Sequence, residues 1–292
     1  MLYPKNFEQK VGFDEIRTLL HNYCLSNMGR ERIDGMQYSS HPALIRLQHS
    51  QVAEFRQIMT EEAELPEQDF FDLREAIKHI SIEGTHMEEK DMWDLYRSLC
   101  TLHSWIQIIR TNDEEQHVKF PALEQVAEGV FTFHSVTKRI EQILDKYGHI
   151  RDEASTELFA IRRELQRTES GISHTLHSIL RSAQAQGLVE KDVSPTIRDG
   201  RLVIPVAPAM KRRLRGIVHD ESATGKTVYI EPADVVEANN RIRELKADER
   251  REIIRILRDF ASMLRPNVKE LLRGFSFLAD IEFIRAKALL AD

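Results

Sequence analysis

The sequence is poor in the residues that break helices and in those that cross-link chains. It has 12 glycines, 9 prolines and 2 cysteines among 292 residues. So few turn-forming residues favour helix over most of the chain. Cys24 and Cys100 lie far apart in sequence, which favours reduced thiols over a disulfide and predicts a cytoplasmic location.

The chain also lacks a signal-peptide core, an apolar run as long as a membrane span, and an excess of basic residues. We therefore expect no membrane partner. The formal net charge is −6, which excludes a globally basic nucleic-acid-binding protein. Any nucleic-acid site in this chain must be a local patch.

Two long amphipathic segments dominate the second half of the chain. The first, from about residue 152 to 186, has apolar residues spaced three, four or seven apart: Leu158, Ile161, Leu165, Ile172, Leu176, Ile179 and Ala183. The second, from about 233 to 264, carries a matching stripe: Val235, Ile242, Leu245, Ile253, Leu257, Phe260 and Leu264. These stripes predict an arm of two antiparallel helices, with Asn239 and Glu249 interrupting the seam. The alternative is a pair of helices in an ordinary bundle.

Between these helices the pattern changes to short alternating runs. Asp199-Gly200 separates two extended segments and predicts a β-hairpin, because both residues tolerate positive φ. Residues 216–219 and 227–230 predict two more strands. Pro205 should lie on an edge strand or at a bulge, because it cannot donate a ladder hydrogen bond.

Cations are concentrated in this β-rich tip. From residue 198 to 226 there are three acids and seven cations, for a net charge of +4, the cations being Arg198, Arg201, Lys211, Arg212, Arg213, Arg215 and Lys226. A positive tip on an acidic chain suits contact with a phosphate backbone. Only Tyr229 interleaves with the cations, which argues against a base-stacking platform for single strands. The alternative is a solvated turn whose cations balance the acidic helices.

Other motifs give no catalytic or metal site. Residues 223–227 resemble the end of a phosphate-binding loop, but the required first glycine is replaced by Asp220, and a β run follows instead of a helix. His174 and His177 are three apart on a helix, without a third ligand at a suitable spacing. We therefore predict no catalytic residue, no metal and no nucleotide in this chain.

The tip sequence, in the runs Thr196–Val206 and Arg215–Pro232, resembles the clamp segment of the MutS family. The returning segment Val235–Glu252 is similar as well. The likeness is to the second bacterial subfamily, which lacks the mismatch-recognition domain, and Phe13–Ile16 with Met28-Gly29 resembles its start directly in the helical core. The resemblance covers essentially the whole chain and is most specific from Thr196 to Glu252.

The resemblance implies a mainly α fold: a discontinuous helical core, a long antiparallel two-helix lever arm, and a small, mostly β clamp domain at its tip. The expected boundaries are core at 1–150, outgoing lever at 151–187, clamp at 188–232, returning lever at 233–265 and core again at 266–292. An ATPase and usually an Smr nuclease domain would follow. The chain has no Walker motif, so we expect a non-catalytic fragment whose ATP and Mg²⁺ belong to the missing domain.

The resemblance also implies partners. The clamp would embrace branched or duplex DNA in the suppression of homologous recombination, within an ATP-driven full-length homodimer. The alternatives are a role on collided ribosomes through ribosomal RNA, or a protein-interaction and dimerisation module. An enzyme in its own right is suggested only by the Gly225-Lys226-Thr227 remnant.

Overall fold

A computed structural model describes residues 6–61, 65–66, 69–187, 189 and 192–291. Within them the chain is mainly helical with one small antiparallel sheet, which confirms the predicted fold class. The chain divides into two compact units, Met1–Ile150 with Leu257–Asp292, and Arg151–Ile256. The finer boundaries between lever and clamp remain predictions, and residue 188 lies outside the described residues.

The first unit is built from helices on both sides of the second unit in sequence. They are α1 Phe7–Lys10, α2 Phe13–Tyr23, α3 Asn27–Asp34, α4 Pro42–Glu61, α5 Arg74–His79, α6 Glu89–Ile109, α7 Pro121–Val126, α8 His134–Ile143 and, after the second unit, α11 Val268–Ala291. The core is formed by apolar faces of α6 and α11, with Phe55 of α4 packed on Trp105 of α6 at 5.3 Å between ring centroids. None of the helices in the described part of the chain has the length and apolar character needed to cross a membrane.

A buried carboxylate fixes the start of α3 in this unit. Glu282 of α11 is fully buried and accepts hydrogen bonds from the backbone N–H groups of Leu25 at 2.6 Å and Ser26 at 2.7 Å. The Ser26 hydroxyl bonds the other Glu282 oxygen and also caps α3 by accepting from Gly29 N at 3.0 Å. A side chain at Gly29 would overlap the Glu282 carboxylate.

Two long helices and the sheet make up the second unit, with α10 extending beyond it. α9 spans Thr156–Ala185 and α10 spans Val236–Leu264. Near the start of α9, Ser155 donates to Glu252 at 2.6 Å, and further along, Arg241 donates to Glu164 at 2.8 Å. Residue numbers rise along α9 while those of the partners on α10 fall, so the two helices are antiparallel.

The seam between α9 and the rest of the unit largely follows the predicted stripe. Leu158, Ile161, Ile172, Leu176 and Ala183 are buried as the spacing predicts. The stripe differs at Leu165, which is only partly buried, and in its last turns, where Leu180 is buried while Ile179 is only partly buried. On α10, the predicted stripe residue Ile253 is likewise only partly buried.

The four strands form an antiparallel sheet in the order β1-β2-β4-β3. They are β1 Thr196–Arg198, β2 Arg201–Val206, β3 Gly216–Glu221 and β4 Val228–Pro232. Asp199 and Gly200 have φ of 48° and 73°, which confirms the predicted hairpin. One face of the sheet packs on α9, where Ile172 and Leu176 join Ile204 and Ile230 in a buried cluster.

The sequence predicted Pro205 on an edge strand or at a bulge, and this prediction is wrong. Pro205 lies in β2, between β1 and β4 in the sheet order. However, the pairs with β1 end at Val203, so the half of β2 that contains Pro205 is paired to β4 alone. The missing N–H is tolerated there because β1 does not extend that far. The sheet's irregularity is in β3, between Val218 and Asp220.

Candidate nucleic-acid interface

A crossover loop, residues 207–215, carries most of the predicted basic residues. β2 and β3 are both antiparallel to β4, which lies between them, so the loop must run from one end of the sheet to the other. Met210 and Leu214 are partly buried against the cluster under the sheet. Ala233 N donates to Arg215 O at 3.1 Å and fixes the far end. With Met210 and Leu214 directed inwards, the residues between them are left at the surface.

Four of the seven predicted cations are exposed and have no side-chain partner among the described residues. Arg212, Arg213 and Arg215 lie in the crossover loop, and Lys226 lies in the β3–β4 turn. Within the described residues, none of these four side chains has a hydrogen-bond or ion-pair partner. The β3–β4 turn is at the same end of the sheet as the start of the crossover loop, because Val206 pairs with Val228. Arg215 is at the opposite end, because the neighbouring Gly216 pairs with Pro232. We call these four residues, which extend from one end of the sheet to the other, the basic surface.

The other three cations have partners inside the unit. Arg201 is nearly buried and donates to Glu231 at 2.7 Å and to Asn240 at 2.7 Å. Lys211 lies 3.5 Å from Glu221, and both side chains are about half exposed. Such an exposed pair is weak and is readily exchanged for another anion. Arg201 is therefore committed to the fold, whereas Lys211 remains accessible.

Arg198 stacks on the ring of Tyr229, the aromatic side chain on which a base of single-stranded nucleic acid would stack. Its guanidinium lies 4.2 Å from the centroid of the Tyr229 ring and donates to Tyr229 Oη at 2.7 Å. Asp220 is 3.9 Å from the same guanidinium. Because the cation covers the ring face, Tyr229 does not offer a free platform for base stacking.

Glu231 of β4 is the centre of a buried polar network. Its side chain is fully buried, and its oxygens accept from Arg201, from Asn239 Nδ2 at 2.7 Å and from His219 Nε2 at 2.5 Å. Burial alone would raise the pKa of Glu231, but the hydrogen bonds from His219, Arg201 and Asn239 hold it below its usual value. The network therefore keeps a carboxylate ionised inside the unit.

Asn239 joins this network to the sheet. Its amide accepts from Leu202 N and donates to Leu202 O, both at 3.2 Å, and its side chain is buried. In the sequence Asn239 stands only as an interruption of the α10 stripe, and no pattern there indicates a role for His219 or Glu231. The position of Asn239 on the apolar stripe of α10 is the sequence signal that could have indicated a buried hydrogen-bond partner.

The stretch that resembles a phosphate-binding loop forms a tight turn. Ser222 N donates to Thr227 O at 2.8 Å, Gly225 N donates to Ser222 O at 2.7 Å, and Gly225 has φ of 65°. Strand β4 follows directly. Because the chain continues as a strand, this turn does not lead into a helix whose N-terminus could bind an anion.

Among the described residues, the histidine pair on α9 gathers no further metal ligand. His177 Nδ1 lies 2.7 Å from the Ser173 carbonyl oxygen, one helical turn before it. In the part of the chain that the structure describes, no three His, Cys, Asp or Glu side chains are grouped to hold a metal ion.

Comparison with known proteins finds relatives that share one name. No model of a known protein family matches the chain. A protein of Geobacillus sp. (strain WCH70) named Endonuclease MutS2 is 34% identical over 280 residues, which is 96% of this chain and 35% of that protein. Proteins of the same name from Levilactobacillus brevis and Shouchella clausii are 33% and 31% identical, over 94% and 97% of this chain. This chain is MutS2-like.

The MutS2-like chain spans about a third of the length of these relatives, 35% of the Geobacillus protein and 36% of the Shouchella protein. The similarity runs over almost all of the chain, and so it includes both compact units. The predicted relationship to the second MutS subfamily is thereby confirmed.

Proposed function

We propose that the second unit of this MutS2-like chain is a non-catalytic clamp that binds the phosphate backbone of branched or duplex DNA. The observation that carries the proposal is the basic surface, in which Arg212, Arg213, Arg215 and Lys226 have no competing partner within the described residues. Unpaired, solvated cations can release the counterions of a polyanion without first breaking an internal ion pair.

Duplex or branched DNA is favoured over single strands by the state of Tyr229. Its ring is covered by Arg198, and the four residues of the basic surface include no aromatic side chain. Contacts of this kind position a protein on the backbone and do not read base sequence. The clamp would therefore bind DNA with little sequence preference.

In the whole protein, we propose that this clamp is coupled to an ATPase and acts as a dimer in the cytoplasm to suppress homologous recombination. The names and lengths of the MutS2 relatives support a larger protein around this segment. The free thiols of Cys24 and Cys100 support a reducing compartment.

A role as a protein-interaction module is the second candidate, and one observation favours it. Ile197 is 65% exposed on β1 and Ile217 is 49% exposed on β3, so both edge strands of the sheet present an apolar side chain. Exposed apolar groups at strand edges are typical of protein contacts.

Charge reversal separates these functions. The chain would be titrated at low salt with a short DNA duplex, a four-way DNA junction and a ribosomal RNA helix. We expect the duplex and the junction to bind, and Arg212→Glu with Arg213→Glu to abolish binding. The matched control is Arg163→Glu with Arg167→Glu, two exposed arginines of α9.

The outcomes of this titration decide between the candidates. Unchanged binding in the Arg212/Arg213 variant would contradict the clamp contact. Stronger binding of the RNA helix than of either DNA would assign the surface to the ribosome. Absence of any nucleic-acid binding, together with a self-association that Ile197→Thr and Ile217→Thr remove, would favour the interaction module.

A further inference from the structure

An aromatic pocket lies in the first unit, in a region that the proposed clamp does not use. Its volume is about 370 Å³ and it is lined by residues of α1, α2, α3, α4 and α11 and of the α3–α4 connection. The apolar part of the lining consists of Phe7, Val11, Phe13, Met36, Tyr38 and Phe283. This volume is within the range of small-molecule sites in proteins.

Several of these aromatic groups are uncovered within the described part of the chain. Tyr38 is 71% exposed and Phe7 is 37% exposed. Large apolar side chains that line a concavity and remain exposed are the usual setting for a planar ligand.

Three cations also line the pocket, and two of them are already neutralised. Arg17 pairs with Glu8 at 2.8 Å, and Arg32 pairs with Asp280 at 2.6 Å. Lys287 differs from both. Its Nζ lies 4.2 Å from the centroid of the Phe283 ring, and among the described residues no carboxylate is within ion-pair distance of it.

Lys287 is half-buried, so its ammonium is only partly solvated. Burial lowers its pKa to about 8, and the field of Asp280 opposes this shift only in part. A desolvated ammonium without a counterion is unfavourable, and a carboxylate placed beside it would remove that cost.

We propose that this pocket binds a small aromatic carboxylate, with its ring among the aromatic side chains and its carboxylate on Lys287 Nζ. The unneutralised ammonium specifies the negative charge of the ligand, and the aromatic lining specifies its planar body. The size of the pocket suits one or two fused rings. The inference is independent of the clamp function, because it concerns the other unit of the chain.

The test compares 1-naphthoate with the neutral analogue 1-naphthalenemethanol by isothermal titration calorimetry. We expect saturable binding of naphthoate that is about tenfold or more tighter than that of the alcohol, as a charge-assisted hydrogen bond implies. Lys287→Met should remove this difference and keep the affinity for the alcohol. The control is Lys269→Met, an exposed lysine on the same helix, which should bind like the unmodified chain.

A second measurement serves if Lys287→Met does not fold. The pKa of reductively methylated Lys287 would be followed by NMR, with and without naphthoate, and should rise when the carboxylate binds. A naphthoate titration that does not saturate, equal affinity for the two compounds, or an unchanged pKa of Lys287 would overturn the proposal.

Discussion

Arg201 and Glu231 form an ion pair with 2.7 Å between Nη1 and Oε1, and the Glu231 side chain is fully buried. This pair takes one residue out of the set of seven cations that the sequence nominated for nucleic-acid contact. It also shows where the sheet is joined to α10, because Asn239 reaches the same carboxylate. The charge of Arg201 therefore stabilises the fold, while the side chains of the basic surface have no ion-pair partner among the described residues.

Replacing Arg201 should destabilise the second unit. Arg201→Ala would leave the buried Glu231 carboxylate without its cation, at a cost of roughly 3 kcal/mol, the lower end of the range for broken buried pairs because His219 and Asn239 remain. Both tryptophans, Trp93 and Trp105, lie in the first unit. Hydrogen exchange of the β2 and β4 amides is thus the suitable readout.

The matched variant for this experiment is Arg212→Ala, which removes an exposed arginine of the crossover loop. It should leave the exchange of the sheet amides unchanged, because surface substitutions away from special features have small effects. Equal protection of these amides in both variants would mean that the Arg201–Glu231 pair does not hold the sheet.

The network should make the sheet sensitive to acid. The pKa of Glu231 is lower in the folded chain than in the unfolded chain, so its stabilisation is fully present above about pH 4.3 and is lost as the pH falls through the folded pKa. In Glu231→Gln this share of the pH dependence should disappear. The measurement is hydrogen exchange of the sheet amides between about pH 5 and about pH 3, corrected for intrinsic exchange rates. An equal loss of protection in Glu231→Gln and in the unmodified chain would contradict this prediction.

Two glycines in helices should respond in opposite directions to alanine. Gly29→Ala would press a methyl group into the buried Glu282 carboxylate and should destabilise the first unit by about 2 kcal/mol. Gly171→Ala, in the exposed middle of α9 with open space around it, should stabilise by up to about 1 kcal/mol. Thermal unfolding followed by circular dichroism measures both changes. If Gly29→Ala unfolded at the same temperature as the unmodified chain, the α3 cap would be able to move away from the added methyl group.

The sequence predicts local structure well where a short-range rule decides it. Asp199-Gly200 gives the hairpin because two consecutive positive φ angles are needed there. The apolar stripes predict α9 and α10 because spacings of three, four and seven residues place side chains on one face of a helix. The stripes differ from the structure at Leu165 and Ile253, which are only partly buried, and near residue 180, where the sheet packs against α9 and buries Leu180 more fully than Ile179.

The sequence cannot say which cations are free, because ion pairs join distant residues. Arg201 meets Glu231 30 positions away. The irregularity of β3 at His219 brings a third donor to the same carboxylate. Composition and spacing therefore predicted the basic tip, whereas the division into paired and unpaired cations required the fold.

The most direct test of the clamp is the salt dependence of duplex binding, measured between about 50 and about 200 mM salt. If the basic surface binds phosphates, Arg212→Ala with Arg213→Ala should reduce the slope of log K against log salt concentration by about 1.8, which is about 0.9 for each phosphate that is no longer neutralised. Arg163→Ala with Arg167→Ala on α9 should leave the slope unchanged. An identical slope in the Arg212/Arg213 variant and the unmodified chain would contradict the account.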